Sequence, residues 1–132
     1  MTGITDLNQL LANMSPELHT GEFVFCHVKG RIAEYAHLDP LCLFQEQEGL
    51  TLVLSSEAAI QAYLPFEGRF KQITLTVHSS LEAVGLTAAI AQKLTDCGIS
   101  ANVIAAYYHD HIFVPADKAA LAMTALKEFS VN

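Results

Sequence analysis

Residues 70–115 carry the clearest pattern in the chain and read FKQITLTVHSSLEAVGLTAAIAQKLTDCGISANVIAAYYHDHIFVP. Apolar and polar side chains alternate over 70–78, which predicts a half-buried strand. Serines that can cap a helix come next, and helically spaced apolar residues predict that this helix spans 81–97. Strands at 101–108 and 111–115 follow, joined by a tight connection. The stretch therefore predicts a β-α-β-β unit.

The rest of the chain adds six predicted elements. A short helix is predicted at 6–14. Three strands follow at 22–28, 41–47 and 50–54, and two longer helices at 55–64 and 117–129. Pro65 ends the first of the longer helices, and the segment Pro65 to Gly68 is the best candidate boundary. We therefore divide the chain into an N-terminal half, 1–66, and a C-terminal half, 67–132.

An internal echo links the two halves. Strand, tight turn, strand and helix occur in that order at 41–64 and again at 103–126. The similarity is one of pattern rather than of residues, so duplication is a hypothesis. Such ββα and βα units favour an α+β fold in which helices pack on one face of an antiparallel sheet.

Composition excludes several classes of protein. Hydrophobic residues make up 52% of the 132-residue chain and charged residues 16%, with a net charge of −7 at pH 7. The acidic balance argues against nucleic-acid binding, and no apolar run is long enough to span a membrane. The first residues lack the basic start of a signal peptide, so we expect a cytoplasmic protein. The apolar surplus predicts surface hidden in a homodimer or larger homo-oligomer.

Two segments, HSSLEAVGL at 78–86 and GISANV at 98–103, resemble an ACT domain. Val84-Gly85 stands where the family carries Pro-Gly. Val84 thus replaces the family's Pro, and the Asp that many members carry at the turn is missing. The whole chain is similar to small bacterial tandem-ACT proteins, which are related to the ACT repeats of the CASTOR arginine sensors. The match is closest over 77–115.

This resemblance implies a fold and a function. The fold would have two ferredoxin-like halves related to the family's βαββαβ unit, with antiparallel sheets and helices on one face. Each half is one strand short of that unit, so strand 70–78 is a candidate for exchange between the halves. The function would be regulatory, with an amino acid bound at a domain or subunit interface and subunits associating side by side.

The turn between strand 70–78 and the next helix is the candidate ligand site. Free N–H groups at a helix N-terminus suit a carboxylate, and a glycine lets a ligand approach the backbone. With the ACT resemblance, we expect the turn to hold a ligand carboxylate, and Glu82 or Asp110 to meet its ammonium group. The alternative is that the serines only cap the helix and that Gly85 only permits tight packing. The candidate ligand-binding residues are Ser79, Ser80, Leu81, Glu82, Val84, Gly85, Asn102 and Asp110.

A second candidate is the segment YYHDH at 107–111. Histidines at positions i and i+2 of an extended segment point to the same face, so His109 and His111 could both reach one Zn²⁺ or Ni²⁺. A metal site needs a third ligand, which a residue of another strand, such as His27 or His78, would have to supply. A polar hairpin turn is the alternative, and we predict no metal and no cofactor.

The cysteines do not suggest catalysis. Cys26, Cys42 and Cys97 are odd in number and lie among apolar neighbours, which indicates inert thiols in a reducing compartment. The sequence lacks a nucleophile elbow, a P-loop and a dinucleotide fingerprint. We therefore predict that the protein is not an enzyme.

The favoured function is a stand-alone regulatory module that binds a small-molecule effector, an amino acid, near the turn between 70–78 and 81–97. A structural or protein-interaction ACT module without a ligand is one alternative. A metal binder that uses His109 and His111 is another. We expect no nucleic-acid partner and no membrane partner.

Overall fold

The computed structural model describes residues 7–76 and 85–130, which form five helices and seven strands. The helices are α1 (Leu7–Asn13), α2 (Ile32–Tyr35), α3 (Ser56–Gln61), α4 (Leu86–Asp96) and α5 (Ala119–Lys127). The strands are β1 (Pro16–Leu18), β2 (Phe23–Val28), β3 (Cys42–Gln45), β4 (Leu50–Ser55), β5 (Phe70–Leu75), β6 (Asn102–Ala105) and β7 (Asp110–Pro115). Single 3-10 turns follow α2 and flank α5. The predicted α+β class is confirmed.

The chain divides into two compact units. Gly21–Phe70 forms one of them, which we call the inserted unit because it interrupts the other in sequence. The second, the discontinuous unit, joins the residues up to Thr20 with those from Lys71 onward. Helix α1 and strand β1 thus belong with the C-terminal part of the chain. The division into sequence halves at 66 and 67 stays a prediction.

The inserted unit is built on three antiparallel strands in the order β3-β4-β2. Strand β2 pairs with β4 from Phe23 opposite Ser55 to Val28 opposite Leu50. Alternate residues of both strands face α3 and exclude water, as period-two strands with one buried face require. The buried core of this unit contains Val24, Cys26, Val28, Leu50, Leu52, Leu54 and Ala59.

The discontinuous unit contains β1, β5, β7 and β6, neighbours in that order. Strand β1 is antiparallel to β5, with Pro16 opposite Leu75. Apolar residues of β5, β7, α1, α4 and α5 form its core. That core includes Leu10, Met14, Ile73, Leu75, Leu86, Ile90, Leu94, Ile112, Val114, Ala122 and Leu126.

The structure differs from the sequence-based expectation in β5. Ile73 and Leu75 are buried, as the alternation predicts, but the polar residues Gln72 and Thr74 of the opposite face are also only 7% and 6% exposed. Strand β5 is therefore covered on both faces, and the prediction of a half-buried strand was wrong. Buried polar side chains need hydrogen-bond partners, and the partners of these two define a polar cluster described below.

Other boundaries differ by a few residues. Strand β6 ends at Ala105 rather than 108, because Ala106 N–H donates to the carbonyl of His109 at 3.0 Å and closes the hairpin earlier. Strand β1 was not expected at all, since Pro16 indicated only the end of a helix. No helix in 7–76 or 85–130 combines the length and the apolar composition needed to cross a membrane.

Candidate functional site

Gly85 is the residue of the predicted turn that the structure describes. It precedes α4 in a left-handed conformation, with φ of 93°, which a residue with a side chain adopts only with strain. A Cβ atom added to Gly85 would lie 3.3 Å from Cδ2 of Leu7 in α1. Glycine therefore serves the local backbone and the packing of α1 at the start of α4.

The other predicted turn residues, Ser79, Ser80, Leu81, Glu82 and Val84, lie outside the described residues. His78, named above as a candidate third metal ligand, lies outside them too. Their assignment to a ligand site stays a prediction.

Asn102 and Asp110 occupy opposite ends of the β6–β7 hairpin. Asn102 lies opposite Phe113, whereas Asp110 lies opposite Ala105. Three residues of extended strand separate the two positions, or about 10 Å. The Asn102 side chain donates to the carbonyl of Phe113 at 3.3 Å. The structure therefore does not bring these two candidates together.

Asp110 instead lies beside a polar cluster on β5 and β7. The Nδ1 atom of His111 is 2.9 Å from Oγ1 of Thr74 and 3.2 Å from Nε2 of Gln72. The same Thr74 hydroxyl is 2.6 Å from Nε2 of His19, which follows β1. We call His19, Gln72, Thr74, His109 and His111 the histidine cluster.

The partners of His111 indicate which of its ring nitrogens accepts a hydrogen bond. An amide N–H can only donate, and the Thr74 hydroxyl can also donate, so Nδ1 of His111 accepts and its proton is on Nε2. The Nε2–H of His19 then donates to the Thr74 oxygen. The result is a chain of contacts from His19 through Thr74 to His111, in which Nδ1 of His111 is the acceptor.

Electrostatics favour the same protonation state. Burial lowers the pKa of His111, and the neighbouring His109 and His19 lower it further, while Asp110 opposes the shift. Burial raises the pKa of Asp110. His111 and His109 oppose this shift, because their positive charge favours the ionised carboxylate. Asp110 and His111 are thus two partly desolvated titratable side chains that influence each other's protonation.

His109 adds an unsatisfied polar atom. Its Nδ1 is buried and has no hydrogen-bond partner. Among residues 7–76 and 85–130, no other buried side-chain nitrogen or oxygen lacks a partner. The ring centroids of His109 and His111 are 6.4 Å apart. No three His, Cys, Asp or Glu side chains of the described ranges are grouped closely enough to hold a metal ion.

Sequence reasoning missed three members of the cluster. His19 is remote in the chain and enters through an unexpected strand, and Gln72 and Thr74 read as solvent-facing residues of an amphipathic strand. The retrievable signal was Gln72 and Thr74 at alternate positions of a strand with many apolar residues, the spacing that places two polar groups on one face.

The cluster also locates the hairpin tip. His111 begins β7 and contacts Thr74, which lies one residue before the end of β5. The tip, residues 106–109, and the end of β5 therefore lie at the same end of this unit. Asp110, the first residue of β7, is the described ligand candidate at that end.

Comparison with protein-family models finds an ACT domain in each of two parts of the chain. An ACT domain matches residues 2–71, and a second ACT-domain model matches residues 68–128. The chain belongs to the ACT-domain family. The predicted membership of the ACT-domain family is thus confirmed, with two ACT domains in tandem over nearly the whole length of the sequence.

Solved structures agree with this assignment. A Vibrio cholerae protein of unknown function is 59% identical, with a TM-score of 0.89 and coverage of 94% of this chain and 95% of that one. The ligand-free regulatory subunit of aspartate kinase from Thermus thermophilus is 10% identical, with a TM-score of 0.58 and coverage of 87% and 95%. Escherichia coli aspartokinase III in complex with aspartate and ADP is 11% identical, with a TM-score of 0.65 and coverage of 91% and 35%.

Because the two kinase structures are only 10% and 11% identical to this chain, the comparison with them shows the fold alone. They confirm the ferredoxin-like ACT architecture with two ACT halves. The comparison with curated protein sequences finds no match.

Proposed function

We propose that this ACT-domain protein is a non-catalytic regulatory module that binds an amino acid beside the turn that ends at Gly85. The observation that carries the proposal is the pair of ACT-domain matches, which together span residues 2–128. The fold shared with an aspartate kinase regulatory subunit supports the regulatory role. We further propose a cytoplasmic location.

The ligand chemistry follows from the groups near that turn. Helix α4 is 11 residues long, and the free N–H groups of its first turn suit a carboxylate. An acidic side chain, Asp110 of the hairpin or Glu82 of the turn, would meet the ammonium group. Because the hairpin tip and the end of β5 share one end of the unit, Asp110 is the described residue that fits this role.

We also propose that the protein works as a homodimer or larger homo-oligomer. Strand β6 is an outer strand of the discontinuous unit, and within the described residues it pairs with β7 alone. An unpaired strand edge is a template for another subunit. A ligand that bridges two domains or subunits would favour one arrangement over another, which is the population shift that regulation requires.

The test combines a ligand screen with matched glycine variants. A thermal-shift screen of the common amino acids should reveal at least one that raises Tm, and titration calorimetry should confirm it. Gly85→Ala and Gly98→Ala both place a side chain at positive φ at opposite ends of α4, so both should cost about 1 kcal/mol or more. Only Gly85→Ala should weaken ligand binding.

Two results would contradict the proposal. Binding that survives Gly85→Ala unchanged would place the ligand elsewhere, and the absence of any stabilising amino acid would favour an interaction module without a ligand. The metal-binding alternative stays a prediction. Metal analysis of the purified protein with a His111→Ala control tests it, and light scattering tests the oligomeric state.

A further inference from the structure

A pocket opens on the inserted unit, far in sequence from the turn at Gly85. It lies where β2 begins, where β4 ends and where the chain leaves a 3-10 turn to enter β3. Its volume is about 430 Å³, within the range of roughly 300–1,000 Å³ that small-molecule sites occupy. The lining residues are Phe23, Leu38, Asp39, Pro40, Leu41 and Ser55.

The charged lining residue is Asp39, and its backbone is held on both sides. Asp39 has φ of 53° and ψ of 53°, a left-handed conformation, and its N–H donates to the carbonyl of Ala36 at 3.0 Å. Pro40 follows with a restricted φ, and the N–H of Leu41 donates to the carbonyl of Val53 at 2.7 Å. The origin of the Asp39 side chain is therefore fixed before any ligand arrives.

The Asp39 carboxylate has no hydrogen-bond or ion-pair partner within residues 7–76 and 85–130. The other polar side chain of the pocket, Ser55, accepts the N–H of Ala58 at 3.1 Å through its oxygen. Its own hydroxyl hydrogen is left to donate. One acceptor with a full negative charge and one neutral donor thus face an otherwise apolar lining.

The apolar lining is partly open to solvent. Leu41 is 48% exposed, and Phe23 and Leu38 are half-buried. Phe23 lies directly opposite Ser55 in the β2–β4 register, so an aromatic ring and a hydroxyl lie side by side on two strands. A ligand would remove apolar surface from water here while its polar group stayed near Asp39.

The net charge of the inserted unit indicates which charge the polar group of a ligand would carry. Residues 21–70 contain seven Asp and Glu and three Lys and Arg, a net charge of −4 (3 − 7) of the −7 carried by the whole chain. Such a field concentrates cations and repels anions. An unpaired carboxylate in this field is complementary to a cationic group.

We propose that this pocket binds a small organic cation, with a primary ammonium group on the Asp39 carboxylate and a short apolar or aromatic body against Phe23, Leu38 and Leu41. The site is separate from the one proposed near Gly85 and does not depend on it. A charged contact sets the orientation of the ligand, and the apolar body supplies contact area. The ammonium keeps one face in water, so the ion pair requires no buried charge.

The probe is 2-phenylethylammonium, and its neutral analogue 2-phenylethanol is the comparison. Titration of the ¹⁵N-labelled full chain followed by NMR should move the amide signals of Asp39, Leu41 and Ser55 in a saturable manner with the cation. The alcohol should bind about tenfold more weakly, because it lacks the charge-assisted hydrogen bond. Equal affinities for cation and alcohol would overturn the proposal, as would shifts that are confined to other residues.

Asp39→Asn is the matched variant. Asparagine tolerates the left-handed conformation as aspartate does, so the fold should be retained while the charge is lost. The dissociation constant for the cation should rise about tenfold, to the value for the alcohol. Asp117→Asn removes an exposed acidic charge from the other unit and should leave the dissociation constant unchanged. An unchanged affinity in Asp39→Asn contradicts the proposal, and Gly85→Ala should have no effect here whatever its effect on amino-acid binding.

Discussion

The imidazole of His111 faces two buried polar side chains of the neighbouring strand, and these contacts set the proton that it carries. In its neutral form, Nδ1 can accept from Thr74 or Gln72. Protonation would turn Nδ1 into a donor that opposes the Gln72 amide N–H, and it would place positive charge near His109 and His19. The folded protein therefore resists protonation of His111 more than the unfolded chain does.

This resistance predicts a pH-dependent stability. The pKa of His111 is lowered in the folded state, mainly by burial and then by His109 and His19, against an unfolded value of about 6.5. Between those two values the unfolded chain binds more protons, so the free energy of unfolding falls as the pH drops below about 6.5. Above that pH the contribution is fully present, and below the folded pKa it is lost.

Urea unfolding of the wild type and of His111→Gln, from about pH 5 to 8, measures this effect. The variant should show a shallower loss of stability below about pH 6.5. His37→Gln, at an exposed histidine of the inserted unit, is the control and should keep the wild-type slope. A wild-type slope in His111→Gln would show that other groups cause the pH dependence. Asp110, whose pKa burial raises, acts in a lower pH range with the opposite sign.

At the scale of elements, α4 shows how apolar spacing in the sequence predicts the buried face of a helix. Its buried residues Leu86, Ile90 and Leu94 recur every four positions, and Leu94 is fully buried in the core of the discontinuous unit. Leu94→Ala should lower the free energy of unfolding by about 2–5 kcal/mol, because it leaves a cavity that the packed neighbours cannot fill. Thr95→Ala, at an exposed neighbouring position, should change it by less than about 0.5 kcal/mol. Equal effects in urea unfolding would contradict the assigned face.

The elements that the sequence predicts least well are those defined by distant contacts. Helix spacing and strand alternation are local and give α4 and the apolar face of β5. Strand β1 is three residues long and exists because Glu17 and its neighbours pair with β5, more than fifty residues away. The burial of Thr74 likewise depends on His19 and His111, which no local pattern brings together.

The candidate site divides in the same way. Gly85 was named because it stands where the ACT family carries the glycine of Pro-Gly and lets a ligand approach the backbone, and the structure gives it a left-handed conformation. Asn102 was named from the ACT resemblance and Asp110 as an acidic partner for an ammonium group, and the hairpin register separates the two. The pocket at Asp39 was not anticipated, because the sequence predicts no element between 28 and 41 and the lining residues come from separate segments of the chain.

At the scale of the whole molecule, the discontinuous unit couples the two ends of the chain. Leu10 of α1 is fully buried in a core formed mostly by residues after Lys71. Leu10→Ala should therefore destabilise the C-terminal elements by about 2–5 kcal/mol. In hydrogen exchange, Leu10→Ala should accelerate the exchange of α4 and α5 relative to the wild type more than that of β2 and β4. Ile60→Ala, at a residue 52% exposed, is the control and should leave both sets unchanged.

The opposite pattern, in which Leu10→Ala affects β2 and β4 first, would contradict the division into these two units. A uniform loss of protection would mean that the molecule opens in a single cooperative step. Either result is read from the same exchange measurement, so the variant tests the division itself.

Splitting one compact unit around another has a consequence for synthesis on the ribosome. Residues 21–70 emerge together and can complete their core while translation continues, whereas residues 7–20 leave the exit tunnel first and find their partners last. During that interval, the apolar side chains of Leu10 in α1 and of Met14 just after it are uncovered. These apolar side chains therefore lack their native partners until the residues after 71 have been synthesised.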